Sequence, residues 1–296
     1  MPQLSRPRST DTGPSTMQPA EDTRRGPGSH GPRGSLGRDG WPDSRGGAPG
    51  ATERVVCSAD ALPPGVGGVT KALADLVAGI EAVLFDLDGV LVDTEPWWHD
   101  VRVAWAASHG RSWSVVDSHL CMGLNSRDGS EVMRERLGVA EAPITIERTI
   151  VAALVARYAS RPVPLVADAP AAAARIASRV PVAIASSAHP AVIRAAIDAA
   201  GLASVFSTIV SSDDVPRGKP APDVYLEAAR RLGVAPARCL VIEDSRNGVL
   251  AGRAAGARVV LVPNASVPPG PGVAEIADMV LERLADLPVA SLGTAA

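Results

Sequence analysis

The chain has 296 residues, with 29 Lys and Arg against 32 Asp and Glu, a formal net charge of -3. So weak a balance gives no reason to expect nucleic acid or an anionic membrane as partner, and no apolar run reaches the ~18 residues of a spanning helix. Cys57, Cys121 and Cys239 cannot form a paired disulfide framework and lack metal-ligand spacing, which suits a reducing, cytoplasmic setting. Residues 1–50 hold 10 Gly and 8 Pro, with Leu4 and Leu36 as their only large aliphatics. Such a segment buries too little apolar surface to offset the entropy of ordering, so residues 1–65 read as a disordered extension.

From about residue 70 the pattern becomes regular. Short apolar runs at Ala82–Phe85, Pro181–Ala185, Thr208–Val210, Cys239–Ile242 and Arg258–Val262 read as buried strands. Helical stretches at 169–179, 190–200, 221–232 and 246–255 alternate with the later ones, which predicts right-handed crossovers and a parallel sheet. Between residues 96 and 165 the periodicity is helical throughout. Trp98, Val101 and Trp105 share one helix face, and Ile144 to Tyr158 forms another long helix. The expected architecture is α/β: a Rossmann-like three-layer parallel-sheet core over residues 78–95 and 166–290, with an inserted all-helical cap domain over 96–165.

The chemistry gathers at strand ends. Asp86 and Asp88 follow the first strand, in Phe85-Asp86-Leu87-Asp88-Gly89-Val90, where a parallel sheet places its ligands. An EF-hand loop counted from Asp86 would need Gly and Glu where Leu91 and Trp97 stand, so that reading fails. A second pair, Glu243-Asp244, follows the run at 239–242. Two acidic strand ends side by side repel unless a cation lies between them, and a hard divalent ion such as Mg2+ is the economical solution. The alternative is that these acids cap the following helices. Ser186-Ser187 offers a hydroxyl and free N–H groups for a phosphate, or an ordinary helix cap. Lys219, in Gly218-Lys219-Pro220, is either an ammonium aimed at a phosphoryl oxygen or a solvated surface lysine.

In this order the four pieces resemble the haloacid dehalogenase superfamily of phosphotransferases, over roughly residues 80 to 285. Asp93-Thr94-Glu95-Pro96, Gly218 to Asp223 and Glu243-Asp244-Ser245 with Asn247-Gly248 look like its β-phosphoglucomutase and sugar-phosphatase branch. The resemblance implies Asp86 as nucleophile, Asp88 as general acid and base, and Ser186 and Lys219 as holders of the phosphoryl group. It implies Mg2+ held by Asp86, the Asp88 backbone carbonyl and Asp244, with Glu243 assisting. For the substrate it suggests Ser187, Arg127 in Gly123–Asp128, and Trp98, which stands where the mutase branch has a histidine, with His99 beside it. His189 stands where that branch commonly has a lysine.

The expected protein is therefore a Mg2+-dependent phosphatase acting on a small phosphorylated substrate through an aspartyl-phosphate. Its rivals are a phosphoglucomutase-type isomerase and a catalytically silent phospho-ligand binder. The oligomeric state is not legible, and a monomer fits the sequence.

Overall fold

The computed structural model describes residues 56–57 and 67–294, so the reading of residues 1–50 lies outside the described residues. The described elements begin with β1 (Val56–Cys57), α1 (Gly67–Val77) and β2 (Ala82–Phe85). Four helices follow: α2 (Glu95–Ser108), α3 (Val115–Cys121), α4 (Ser126–Leu137) and α5 (Pro143–Ser160). Strands and helices then alternate through α6 (Ala169–Ala177), β3 (Val182–Ser186), α7 (Pro190–Ala199), β4 (Thr208–Ser211), α8 (Asp223–Leu232), β5 (Cys239–Glu243), α9 (Arg246–Ala254), β6 (Arg258–Leu261) and β7 (Met279–Leu281). No helix among the described residues is long and apolar enough to cross a membrane.

The strands form one sheet in the order β1-β7-β6-β5-β2-β3-β4, every pairing parallel. β2 lies inside it, flanked by β5 and β3. All three are buried along their whole length, and so read as unbroken apolar runs. Alternate residues serve opposite faces. Val83, Phe85, Ile184, Leu240 and Ile242 pack with α1, α6 and α7, while Ala82, Leu84, Ala183, Ala185 and Val241 pack with α8 and α9. The result is the three-layer Rossmann-like sheet expected from the alternation.

Two strands were not anticipated. β7 is three residues long and β1 two, too short to show a period, and both lie at the sheet edge beyond β6. β1 also places a strand within the stretch read as an extension. Helix α8 begins at Asp223 rather than 221, because Pro222 takes the cap position.

The segment from α2 to α5 interrupts the chain between β2 and β3. Its own core is built from Trp98, Val101 and Trp105 of α2, Cys121 of α3, Met133 and Leu137 of α4, and Ile146, Ile150 and Leu154 of α5. Helix α3 starts with a reciprocal capping box between Ser114 and Asp117. The chain enters and leaves this insert side by side: Asp93 N donates to Pro164 O at 2.8 Å, and Val166 N to Leu91 O at 3.1 Å.

Candidate active site

The carboxyl ends of β2, β3 and β5 lie next to one another and carry most of the residues singled out in the sequence. Asp86 follows β2, Ser186 ends β3, Glu243 ends β5 and Asp244 comes next. Lys219 reaches them from the loop before α8 and is 2% exposed. Its Nζ donates to Asp86 Oδ1 and to Glu243 Oε1, both at 2.7 Å. The surface-lysine alternative is therefore excluded.

Glu243 is held from every side. Besides Lys219, Tyr225 Oη donates to Oε1 at 2.7 Å, while Asp244 N, Ser245 N and Ser245 Oγ each donate to Oε2 at 3.0 Å. Five donors fill the roughly four lone-pair directions of a carboxylate. Gly248 makes this possible, since a Cβ there would lie 1.7 Å from Glu243 Oε1. Asp244 is the opposite case: it is 2% exposed, yet its Oδ2 has no hydrogen-bond partner. Gly89, at φ +83°, passes beneath it, and a Cβ there would meet Oδ2 at 1.9 Å.

The electrostatics follow from this crowding. Burial pushes Asp86 up to about 8, with Lys219 offsetting only part of the effect. Burial, with Glu243 and Asp86 beside it, pushes Asp244 well above the carboxylate range. Burial opposes the charge on Lys219, but Asp86 and Glu243 outweigh it and hold the ammonium protonated. One cation thus faces three buried acids whose ligand oxygens lie within 4.8 Å of one another. The orphaned Asp244 oxygen beside Asp86 fits a hard, oxygen-seeking divalent ion.

Asp88, two residues after Asp86, also lines the cleft. Thr94 Oγ1 and Trp98 Nε1 both donate to its Oδ1, at 2.5 and 3.0 Å, and burial raises its pKa. Trp98 lines the cleft, and the Arg102 guanidinium lies over one face of its ring, 5.1 Å from the centroid. Ser186 Oγ accepts from Ala188 N at 3.1 Å, which leaves its hydroxyl hydrogen to donate. Ser187 Oγ donates to Gly123 O at 2.8 Å, and Asn247 Nδ2 to Met122 O at 2.9 Å, so the insert is closed on the sheet. The cleft between them has about 60 Å³ of free volume.

Arg127 is not among the residues that line the cleft. The face of α4 that lines the cleft is Ser126, Gly129, Ser130 and Met133, spaced i, i+3, i+4 and i+7. Arg127 falls off that face and is exposed. His99 is spent within the insert, its Nδ1 2.8 Å from Ser118 Oγ. His189 caps α7, its Nδ1 accepting from Ala191 N at 3.2 Å. Beside it, Glu147 Oε2 and Asp213 Oδ2 are buried without partners, and burial next to Glu147 pushes Asp213 up to about 6.

Sequence reasoning missed Arg102, Glu95 and Tyr225. Glu95, Trp98 and Arg102 share an i, i+3, i+7 stripe of α2 that faces the cleft, a spacing visible in the sequence once a helix is assigned there. Burial raises Glu95 to about 7.

A family model for haloacid dehalogenase-like hydrolases matches residues 80–256. The bifunctional riboflavin kinase/FMN phosphatase of Arabidopsis thaliana is 36% identical over 217 residues, which is 69% of this chain and 54% of that protein. The chain therefore spans about half the length of that relative. Hexitol phosphatase B of Escherichia coli is 30% identical over 213 residues, 70% of this chain and 94% of the relative. The crystal structure of CbbY from Rhodobacter sphaeroides in complex with phosphate is similar at a TM-score of 0.62 and 27% identity, over 72% of this chain and 99% of that one. With the matched span holding Asp86, Asp88, Ser186, Lys219, Glu243 and Asp244, the chain belongs to the haloacid dehalogenase-like hydrolase family and is a phosphoric monoester hydrolase.

Proposed function

We propose that the protein is a Mg2+-dependent phosphatase that hydrolyses a small phosphorylated metabolite through an aspartyl-phosphate. The observation that carries this is the asymmetric treatment of the three buried acids. Glu243 is saturated by donors, Asp86 shares Lys219 through one oxygen only, and Asp244 keeps an orphaned oxygen. The names of the relatives, FMN phosphatase and hexitol phosphatase, support a sugar phosphate or a similar ester as substrate.

Lys219 engages Asp86 Oδ1 and so leaves Oδ2 to attack phosphorus in line with the departing oxygen. Asp86 and Asp244 would hold the ion, with the Asp88 carbonyl as a further ligand; when bound, it supplies positive charge between two anionic reactants. Lys219 and the Ser186 hydroxyl hold phosphoryl oxygens. Asp88 accepts Thr94 and Trp98 at Oδ1, so its proton sits on Oδ2 and passes to the leaving oxygen. The same carboxylate then takes a proton from the water that cleaves the acyl phosphate and frees Asp86. Helices α2–α5 act as the cap, closing over the leaving group to exclude bulk water. An indole cannot accept a proton, so Trp98 favours hydrolysis over return of the phosphoryl group to a sugar.

The test is release of inorganic phosphate from a panel of phosphate esters, with Mg2+ and with EDTA, for the wild type and Asp86→Asn. Release that needs both Mg2+ and Asp86 is expected. Near-normal turnover in EDTA, or by the variant, rules the mechanism out, and no release from any ester points to a silent binder.

A further inference from the structure

Arg102 is the unexplained charge in this cleft. It is 8% exposed, and it lines the cavity together with Asp88, Trp98 and Glu95. Among the described residues no carboxylate lies within 4 Å of its guanidinium, and the cation–π contact with Trp98 is its only close polar engagement. A guanidinium carries five donors in a rigid fork. Stacking on an indole engages the face of the fork but not the N–H groups at its edge. Those groups are not sealed from solvent; they open on the cavity and are available to an acceptor carried by a ligand.

The place of Arg102 says which part of a substrate that is. Asp88, the acid next to the leaving oxygen, feels the Arg102 charge, and Ser186 and Lys219 lie at the phosphoryl end. Arg102 belongs to the insert, on the leaving-group side. We infer that Arg102 binds a second anionic group, a carboxylate or a second phosphate, carried by the leaving alcohol a few bonds from the ester oxygen. This rests on the phosphatase reading of the site and narrows its substrate class to small phosphate esters that carry a second anionic group on the leaving alcohol. The closed cleft, with about 60 Å³ of free volume, has room for about four waters at ~15 Å³ each, which suits a compact leaving group.

The rival is that Arg102 merely balances Glu95 and Asp88, in which case its loss weakens every substrate alike. Three probes separate these: ethyl phosphate, 2-phosphoglycolate, and ethylene glycol bisphosphate. They share a two-carbon leaving group and differ in its charge. The wild type should turn over one anionic probe at least about thirtyfold better in kcat/KM than ethyl phosphate, and which one identifies the anion. Arg102→Gln should shrink that ratio at least tenfold. An unchanged ratio, or a wild-type preference for ethyl phosphate, overturns the inference. Calorimetric binding of the same probes to Asp86→Asn in Mg2+ decides the matter without turnover and without the Arg102 variant. The anionic probe should bind at least tenfold tighter than ethyl phosphate, and equal affinities overturn the inference. Absence of phosphate release from all three probes would count against the phosphatase reading, while the binding ratio would still decide the role of Arg102.

Discussion

The two halves of the cleft are built on different principles. The sheet half concentrates charge at the ends of β2, β3 and β5 and satisfies most of it internally, with Lys219 joining Asp86 to Glu243. The insert half presents a helix stripe, Glu95, Trp98 and Arg102, whose polar groups face the cavity. In the first, folding and chemistry use the same hydrogen bonds and should fail together. In the second, side chains can change with little effect on the sheet, so chemistry and stability should separate.

Lys219→Met is the strongest test of that contrast. It strands Glu243 and Asp86 as buried carboxylates, so it should cost about 3–5 kcal/mol, lower the melting temperature by roughly 10 °C and abolish phosphate release. An active variant, or one that melts like the wild type, would show that the sheet half is not a single electrostatic unit. Trp98→Phe tests the insert half. It removes one donor to Asp88 and trims the core of the insert, so kcat should fall about tenfold with KM little changed, and the melting temperature should drop by only about 2–4 °C. A change in KM alone would mean that the indole serves binding rather than Asp88.

Asp213→Asn probes the seam between the halves. Burial raises Asp213 from 3.8 to about 6, so the folded state prefers the protonated acid, and its contribution is lost as pH climbs through that range. The neutral variant should melt about 2–4 °C higher at pH 7.5 and no higher at pH 3.5. A variant less stable at pH 7.5 would reverse that sign. The smallest effect belongs to Ser114→Ala, which removes the cap of α3 far from the chemistry. It should cost about 1 kcal/mol with kcat/KM unchanged, and a loss of activity would show that the insert acts as a rigid whole.

This contrast also explains what the sequence could reveal. Strands buried on both faces leave unbroken apolar runs, so β2, β3 and β5 were legible, and acids directly after such runs announce themselves. Lys219 was legible as a candidate because Gly218 and Pro220 frame it, but its partners lie 133 and 24 residues away along the chain. The insert residues were harder. On α2 the packing stripe of Trp98, Val101 and Trp105 overlaps the cleft stripe at Trp98, and the apolar reading hid the polar one. Arg127 looked right because its loop does reach the cleft through Gly123, Leu124 and Asn125. One further helical step turned its side chain away.

The paired backbone segments at the base of the insert carry a consequence for how such proteins diversify. Because Asp93 bonds to Pro164 and Val166 to Leu91, the two cut ends of the core lie a single hydrogen bond apart. The adjacency of β2 and β3 then does not depend on what fills the gap, and closing a longer or shorter excursion changes the chain entropy only logarithmically. A foreign helical segment, or a bare turn, spliced between residues 93 and 164 should leave the strand order and the buried Lys219 cluster intact. The leaving-group half would be replaced outright, turning one scaffold into a host for interchangeable specificities.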